Sequence, residues 1–133
     1  MTAIGAAVAG RAAARALMAD TCTITRAGVG EPVYDPATRT HTYPAATAVY
    51  TGPCKVRTMT AMAKTADAGE DVVVVARREL HLPADATELV AIDDVALITA
   101  SQNAQLVGKR LRIADLGEDQ TFSTARRLGV EQT

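Results

Sequence analysis

The stretch from residue 80 to residue 116, LHLPADATELVAIDDVALITASQNAQLVGKRLRIADL, limits what this chain can fold into more than any other. Short apolar segments at Leu89-Val90, at 95–98 and at 111–113 are separated by turn residues at Pro83-Ala84-Asp85, Asp93-Asp94, Ser101-Gln102-Asn103 and Gly108. β-Branched and leucine side chains bounded by Pro, Asp, Asn and Gly clusters predict successive strands joined by tight turns. Leu111 and Ile113 alternate with Arg110 and Arg112, so that strand has one apolar face and one wet face. The pattern is a meander, the raw material of a small barrel.

The same period of two appears earlier. Thr21, Thr23 and Thr25 alternate with Cys22, Ile24 and Arg26, which predicts a first strand from Asp20. Gly28 to Pro32 ends it. Val33-Tyr34, the turn Asp35-Pro36-Ala37-Thr38 and a threonine-rich return through Tyr43 predict an exposed hairpin over 28–44. A short extended piece at 48–50, a turn at Thr51-Gly52-Pro53 and an alternating strand from Cys54 follow. The next segment, MTAMAKTADAGED at 59–71, has no apolar period and reads as a long flexible loop, either functional or a solvated linker. Residues 72–75 are four consecutive valines, and the strand they begin runs to Leu82 as the longest expected. Such a run implies burial on both faces, as where a barrel closes or a second subunit covers the sheet. A last strand spans 121–130, with Phe122, Leu128 and Val130 on one face.

Residues 2–19 are strong helix formers apart from Gly5 and Gly10, with Thr2 as N-cap. At 100° per residue, Ile4, Val8, Arg11, Arg15 and Met18 form one stripe, while alanines and Leu17 cover the other side. Neither side is fully polar. Two readings are open: a frayed tail, or a helix that packs by close approach against a neighbouring subunit or partner. The expected architecture is mainly β, a small barrel of six to eight antiparallel strands. It has a helix at 1–19, a single barrel domain at 20–133, and the loop at 59–71.

Composition narrows the function classes. At 133 residues the chain holds one ordinary core, and 48% apolar with 22% charged residues are globular values. A net charge of −1 gives no bulk attraction to nucleic acid or anionic membrane, so any charge-based role must be local. The aromatics are Tyr34, Tyr43, Tyr50 and Phe122, too few to stack a single strand. Arg11 and Arg15 interrupt the leading apolar run, so neither a secretory signal nor a membrane span of ~20 apolar residues is expected there.

Chemistry is sparse. Ser101 and Ser123 lie in no nucleophile-elbow context, and no phosphate-cradling, dinucleotide or HExxH motif occurs. Cys22 and Cys54 sit in strand patterns as buried thiols, with a bridge between them the alternative. With His41 and His81 they are not spaced as chelating pairs, so no metal or other cofactor is expected. The pairs Asp93-Asp94 and Glu70-Asp71 read as solvated charge rather than an acid/base dyad. The chain is not expected to be an enzyme. In the doublets Arg77-Arg78 and Arg126-Arg127 each arginine faces opposite its neighbour, either as solvated outer charge or to pair carboxylates across an interface.

The arginine-bearing helix running into DTCTITR, the Asp-Pro-Ala-Thr hairpin, the YTGPCKVR strand, a downstream LP…V…D…V…I…S…LVG…RI order and a closing STARRLGVE together resemble the head-tail joining, or head-closure (stopper), proteins of long-tailed phages, especially those of actinobacterial hosts. The likeness covers nearly the whole chain and rests on the order of short motifs. One departure is Asp93-Asp94, where Gly-Asp is expected. The resemblance implies a structural virion protein: a small barrel assembled as a six- or twelve-fold homo-oligomeric ring in the phage neck, formed in the host cytoplasm. It would dock on the portal-adaptor ring and receive the tail terminator or tail tube. Genomic DNA would pass its channel without sequence-specific binding, and no membrane is involved. Lys64, Asp67, Glu70 and Asp71 would then belong to a channel-facing or gating loop whose acidic tip repels phosphate. Ile4, Val8, Arg11, Arg15, Tyr34, Arg39, Tyr43, Arg77 and Arg126 would meet neighbouring subunits or rings. A tail-terminator or tail-completion protein is an alternative, separable by its binding tail tubes without portal; a stand-alone small-barrel binding module would stay monomeric.

Overall fold

A computed structural model of the protein describes residues 2–63, 73–85, 90–117 and 121–133, with the backbone alone at 59–63 and 73–76. Among the described residues one helix precedes eight strands: α1 (Ala3–Ala16), β1 (Asp20–Arg26), β2 (Val33–Asp35), β3 (Thr40–Thr42), β4 (Thr47–Ala63), β5 (Val73–Pro83), β6 (Val95–Ala100), β7 (Arg110–Asp115) and β8 (Ala125–Gln132). Six of them close into an antiparallel barrel in the order β1-β4-β5-β8-β7-β6, and β2-β3 form a separate two-stranded sheet. The expected architecture is therefore present. Closure leaves no open edge along the barrel.

Period-two alternation builds the core. Cys22 and Ile24 of β1, Leu80 and Leu82 of β5, Ala96 and Ile98 of β6, Leu111 and Ile113 of β7, and Leu128 and Val130 of β8 all point inward, with Cys54 and Val90 completing the cluster. Fully burying a leucine or isoleucine contributes about 1.5–3 kcal/mol, so this lining is the main favourable contribution to folding. Register shifts at Ile24/Thr25, Thr21/Cys22 and Ile113/Asp115 add the local twist that lets a sheet curl closed.

Several expectations need correction. Thr51-Gly52-Pro53 is not a turn, because β4 runs through it without a break. β4 pairs β1 as far as Cys54 and β5 from Lys55 onward, so Gly52 and Pro53 lie where the strand changes partner. Glycine suits a barrel corner, and proline tolerates a ladder position that can do without a donor. Residues 59–63, expected in the loop, continue β4 opposite 73–77, because ladder hydrogen bonds use the backbone and need no side-chain pattern. At 17 residues β4, not β5, is the longest strand. Val90 is buried outside any strand, while Leu89 lies outside the described residues. Phe122 is exposed before β8 rather than in it. The meander holds for β6-β7-β8, whereas β5 neighbours β4 and β8 and reaches β6 by a crossing connection. Val72 and the side chains of 73–75 lie outside what is described. Double-sided burial is found at the other end of β5, where Leu80 and Leu82 enter the core and His81 and Pro83 are buried on the opposite side.

Candidate functional site

The helix is placed by its small side chains. Thr2 caps it, its Oγ1 accepting from Gly5 N at 3.0 Å, and the helix ends at Ala16. Ala7, Gly10, Ala14 and Met18 follow one another at spacings of three and four, which makes them one stripe, and this stripe faces β5 and β8. Gly10 allows the close approach: a Cβ there would lie 2.8 Å from Thr124 Cγ2. Arg11 Nε donates to Ser123 O at 3.0 Å, fixing the helix lengthwise. The stripe expected from the sequence is thus split, since Met18 is buried while Ile4 and Val8 stay 70% and 59% exposed. Leu17 is 66% exposed on the far side. Val8, Arg11 and Arg15 come together against Pro83, Ala84 and Asp85 around a groove of about 320 Å³.

The hairpin is a second exposed surface. Asp35 Oδ1 accepts from Ala37 N at 2.9 Å, Thr38 and Thr40 hydroxyls lie 2.7 Å apart, and Arg39 turns the chain at φ 56°. Tyr34 stacks obliquely on His41 with ring centroids 5.1 Å apart. All six strand residues are exposed, as are Val29 and Tyr43. Tyr34, Arg39 and Tyr43 therefore share one element, separate from the barrel sheet that the helix packs on. Lys64, Asp67, Glu70 and Asp71 lie outside the described residues.

The arginine doublets split as expected. Arg78 stands opposite Thr58 and Val130 on the core-facing side, and Arg126 opposite Leu82, leaving Arg77 and Arg127 outward. Arg77 and Arg126 are thus on opposite sides of the barrel wall.

The reading of Asp93-Asp94 as solvated charge is wrong for Asp94. Its side chain is only 2% exposed and takes both prongs of Arg26, Nε to Oδ1 at 2.9 Å and Nη2 to Oδ2 at 3.0 Å. Its Oδ2 also accepts from Ala91 N at 2.8 Å. The hydrogen bond and charge of Asp94 raise the guanidinium above its ordinary value. The signal was present in the sequence: Arg26 shares the inward phase of Cys22 and Ile24 and needs a buried partner. Asp93 stays exposed and, with Glu131, holds Arg112 at 2.7 and 2.6 Å. His81 meets Glu79 at 2.5 Å.

Cys22 and Cys54 are buried free thiols, so no bridge joins them. The hydrogen bond that the Cys54 thiol gives to Cys22, and then burial, push that thiol well above its usual range, the opposite of an activated nucleophile. Tyr50 donates to Pro53 O at 2.7 Å, and burial, with smaller contributions from the two cysteines, pushes it up to about 12. Among the described residues no group of three or more His, Cys, Asp or Glu is placed to hold a metal ion, and no helix is long and apolar enough to cross a membrane.

A family model matches residues 10–131, from the helix stripe through β8. The chain belongs to DUF6093. The family is described as one of unknown function, and the match includes both the helix-docking glycine and every strand of the barrel. No curated protein and no solved structure matches the chain.

Proposed function

We propose that this DUF6093 chain is a structural ring component of a phage neck, a head-closure protein linking portal-adaptor to tail. The observation that carries this reading is the way the helix docks. It spends its small residues on its own barrel and turns Ile4, Val8 and Leu17 to solvent, while a separate hairpin extends Val33, Tyr34 and Tyr43. Two unlike apolar surfaces on one chain suit a head-to-tail contact, which closes into a ring when the rotation permits. The small barrel with a leading helix is the fold that the sequence resemblance implied.

A stand-alone barrel module is the second reading, favoured by one observation. The helix is anchored to its own barrel through Ala7, Gly10, Met18 and the Arg11–Ser123 bond, so the fold needs no neighbour to hold that segment.

Light scattering and native mass spectrometry of the purified chain at increasing concentration distinguish the two. A closed oligomer that Ile4→Glu with Val8→Glu converts to monomer supports the ring. A monomer at millimolar concentration that also fails to bind tailless or headless particles overturns it.

A further inference from the structure

We infer that the end of the barrel bounded by β4, β5 and the β6–β7 loop carries a binding groove for the phosphate backbone of a nucleic acid. The groove measures about 500 Å³ and is lined by Thr58, Arg78, Asn103, Gln105 and Lys109 over the half-buried Val56 and Leu106. Two cations, a hydroxyl and two carboxamides converge there, and among the described residues no carboxylate lines it. The neighbouring hollow on the other side of Arg78 differs, since Asp115 and Glu131 there offset Arg77. Arg78 bonds the neutral Gln132 Oε1 at 3.0 Å, and among the described residues neither Arg78 nor Lys109 makes an ion pair.

The loop is fixed before any ligand arrives. Ser101 Oγ accepts from Asn103 N and Asn103 Oδ1 from Gln105 N, both at 3.1 Å, which leaves the Asn103 amide group with donors to offer. Leu106 N to Asn103 O, Lys109 N to Leu106 O and Gly108 N to Ile98 O close the loop onto the barrel, and Gly108 supplies the φ of 84°. Lys109 is therefore held on a pinned turn beside a guanidinium on the rigid wall. The lining has no aromatic ring to stack a base, so recognition is by charge and hydrogen bonding to phosphate oxygens, without sequence preference.

The groove belongs to a single chain and does not rest on the ring reading. A chain that binds the duplex in this way, yet stays monomeric and binds neither tailless nor headless particles, would sink the ring and leave the groove standing. The test is fluorescence anisotropy of a labelled 20-base-pair duplex titrated with the full chain between 20 and 200 mM NaCl. Two phosphate contacts predict a log-log salt slope of about −1.8, hence roughly a tenfold loss of affinity from 50 to 200 mM. Lys109→Gln and Arg78→Gln should each lower that slope by at least about 0.9, while Arg39→Gln in the hairpin leaves it unchanged. Arg78 lies at the barrel mouth, so Lys109→Gln with an unchanged Tm carries the test if R78Q folds poorly. No binding at 20 mM NaCl, or a wild-type slope in K109Q, overturns the proposal. So does competition at constant ionic strength in which inorganic phosphate occupies the groove but the duplex never does.

Discussion

Arg26 and Asp94, 68 residues apart in sequence, meet through two parallel hydrogen bonds that tie the end of β1 to the residue before β6. Backbone bonds run through the same point, Ile113 N to Asp94 O and Asp93 N to Ile113 O, both at 2.8 Å. Asp94 thus holds β1 through its carboxylate and β7 through its backbone at the entry to β6, where the β1-β6 seam closes the barrel. Asp94→Ala strands the Ala91 N–H and takes two hydrogen bonds and a counter-charge from a half-buried guanidinium, and should lower Tm by roughly 5 °C or more. Asp94→Asn keeps an acceptor for Ala91 N and should lose less. Equal Tm values for wild type and D94A, read by differential scanning fluorimetry, would show that the pair is dispensable.

Asp93, next to it, has a backbone φ of 73°, in the left-handed region that glycine adopts without cost. A Gly-Asp pair would suit this backbone, the first position needing the conformational freedom and the second the buried carboxylate. Aspartate tolerates the conformation and adds the contact to Arg112. Asp93→Gly and Asp93→Ala both remove that contact, yet only alanine retains the strain, so D93G should be more stable than D93A by about 1 kcal/mol. Urea midpoints with equal slopes test this ordering, and a reversed order would contradict it.

The legible parts of this fold are those where side-chain phase and burial coincide. Thr21 to Arg26 and Arg110 to Ile113 read correctly because each strand has one face in the core, and that phase also carried the inward Arg26. Gly52-Pro53 misled because its turn chemistry serves a change of strand partner, a relation that exists only once β1, β4 and β5 are assembled. The segment at 59–63 has no readable phase, and its strand is defined by backbone pairing. Phe122 shares the even phase of Leu128 and Val130, but the chain turns at 121–122 and β8 begins only at Ala125. For the helix, the 100° plot sets Met18 on one stripe with Ile4 and Val8, and the structure splits that stripe, burying Met18 and leaving the other two exposed. Close packing instead selected Ala7 and Gly10, because the smallest side chains let two backbones approach. The groove beside Lys109 was unreadable, since it joins residues from positions 58, 78 and 103–109.

Gly10 gives that docking a direct test. Leucine there must displace Thr124 or lift α1 from β5 and β8, and overpacking of this kind costs about 1–3 kcal/mol. Because the barrel core contains no helix residue, Gly10→Leu should keep the barrel folded while amide exchange speeds up across α1. Gly10→Ala adds about 1 kcal/mol of helix propensity against a methyl group that Thr124 must accommodate, and should leave stability within about 0.5 kcal/mol of wild type. Cooperative loss of the whole fold in G10L would show that helix and barrel are a single unit.

Tyr50 predicts how the protein fails in alkali. Its hydroxyl reaches Pro53 O because Gly52 has no side chain, a Cβ there lying 2.9 Å from the Tyr50 hydroxyl oxygen. Burial raises the folded phenol to about 12, whereas an unfolded tyrosine titrates near 10. Between those values the unfolded chain has released its proton and the folded chain retains it, so the unfolded state gains and stability falls as pH rises. This contribution is complete below about pH 10 and gone above about pH 12. Cys54, also raised, acts in the same direction from lower pH, beginning near the ordinary thiol range. Tyr50→Phe loses the bond to Pro53 and should be less stable than wild type at pH 7. It has no proton to release, so the gap between the two proteins in urea midpoint should narrow from pH 10 to 12. A gap that stays constant across that interval would mean that Tyr50 ionises equally in both states, against the burial seen beside Cys22 and Cys54.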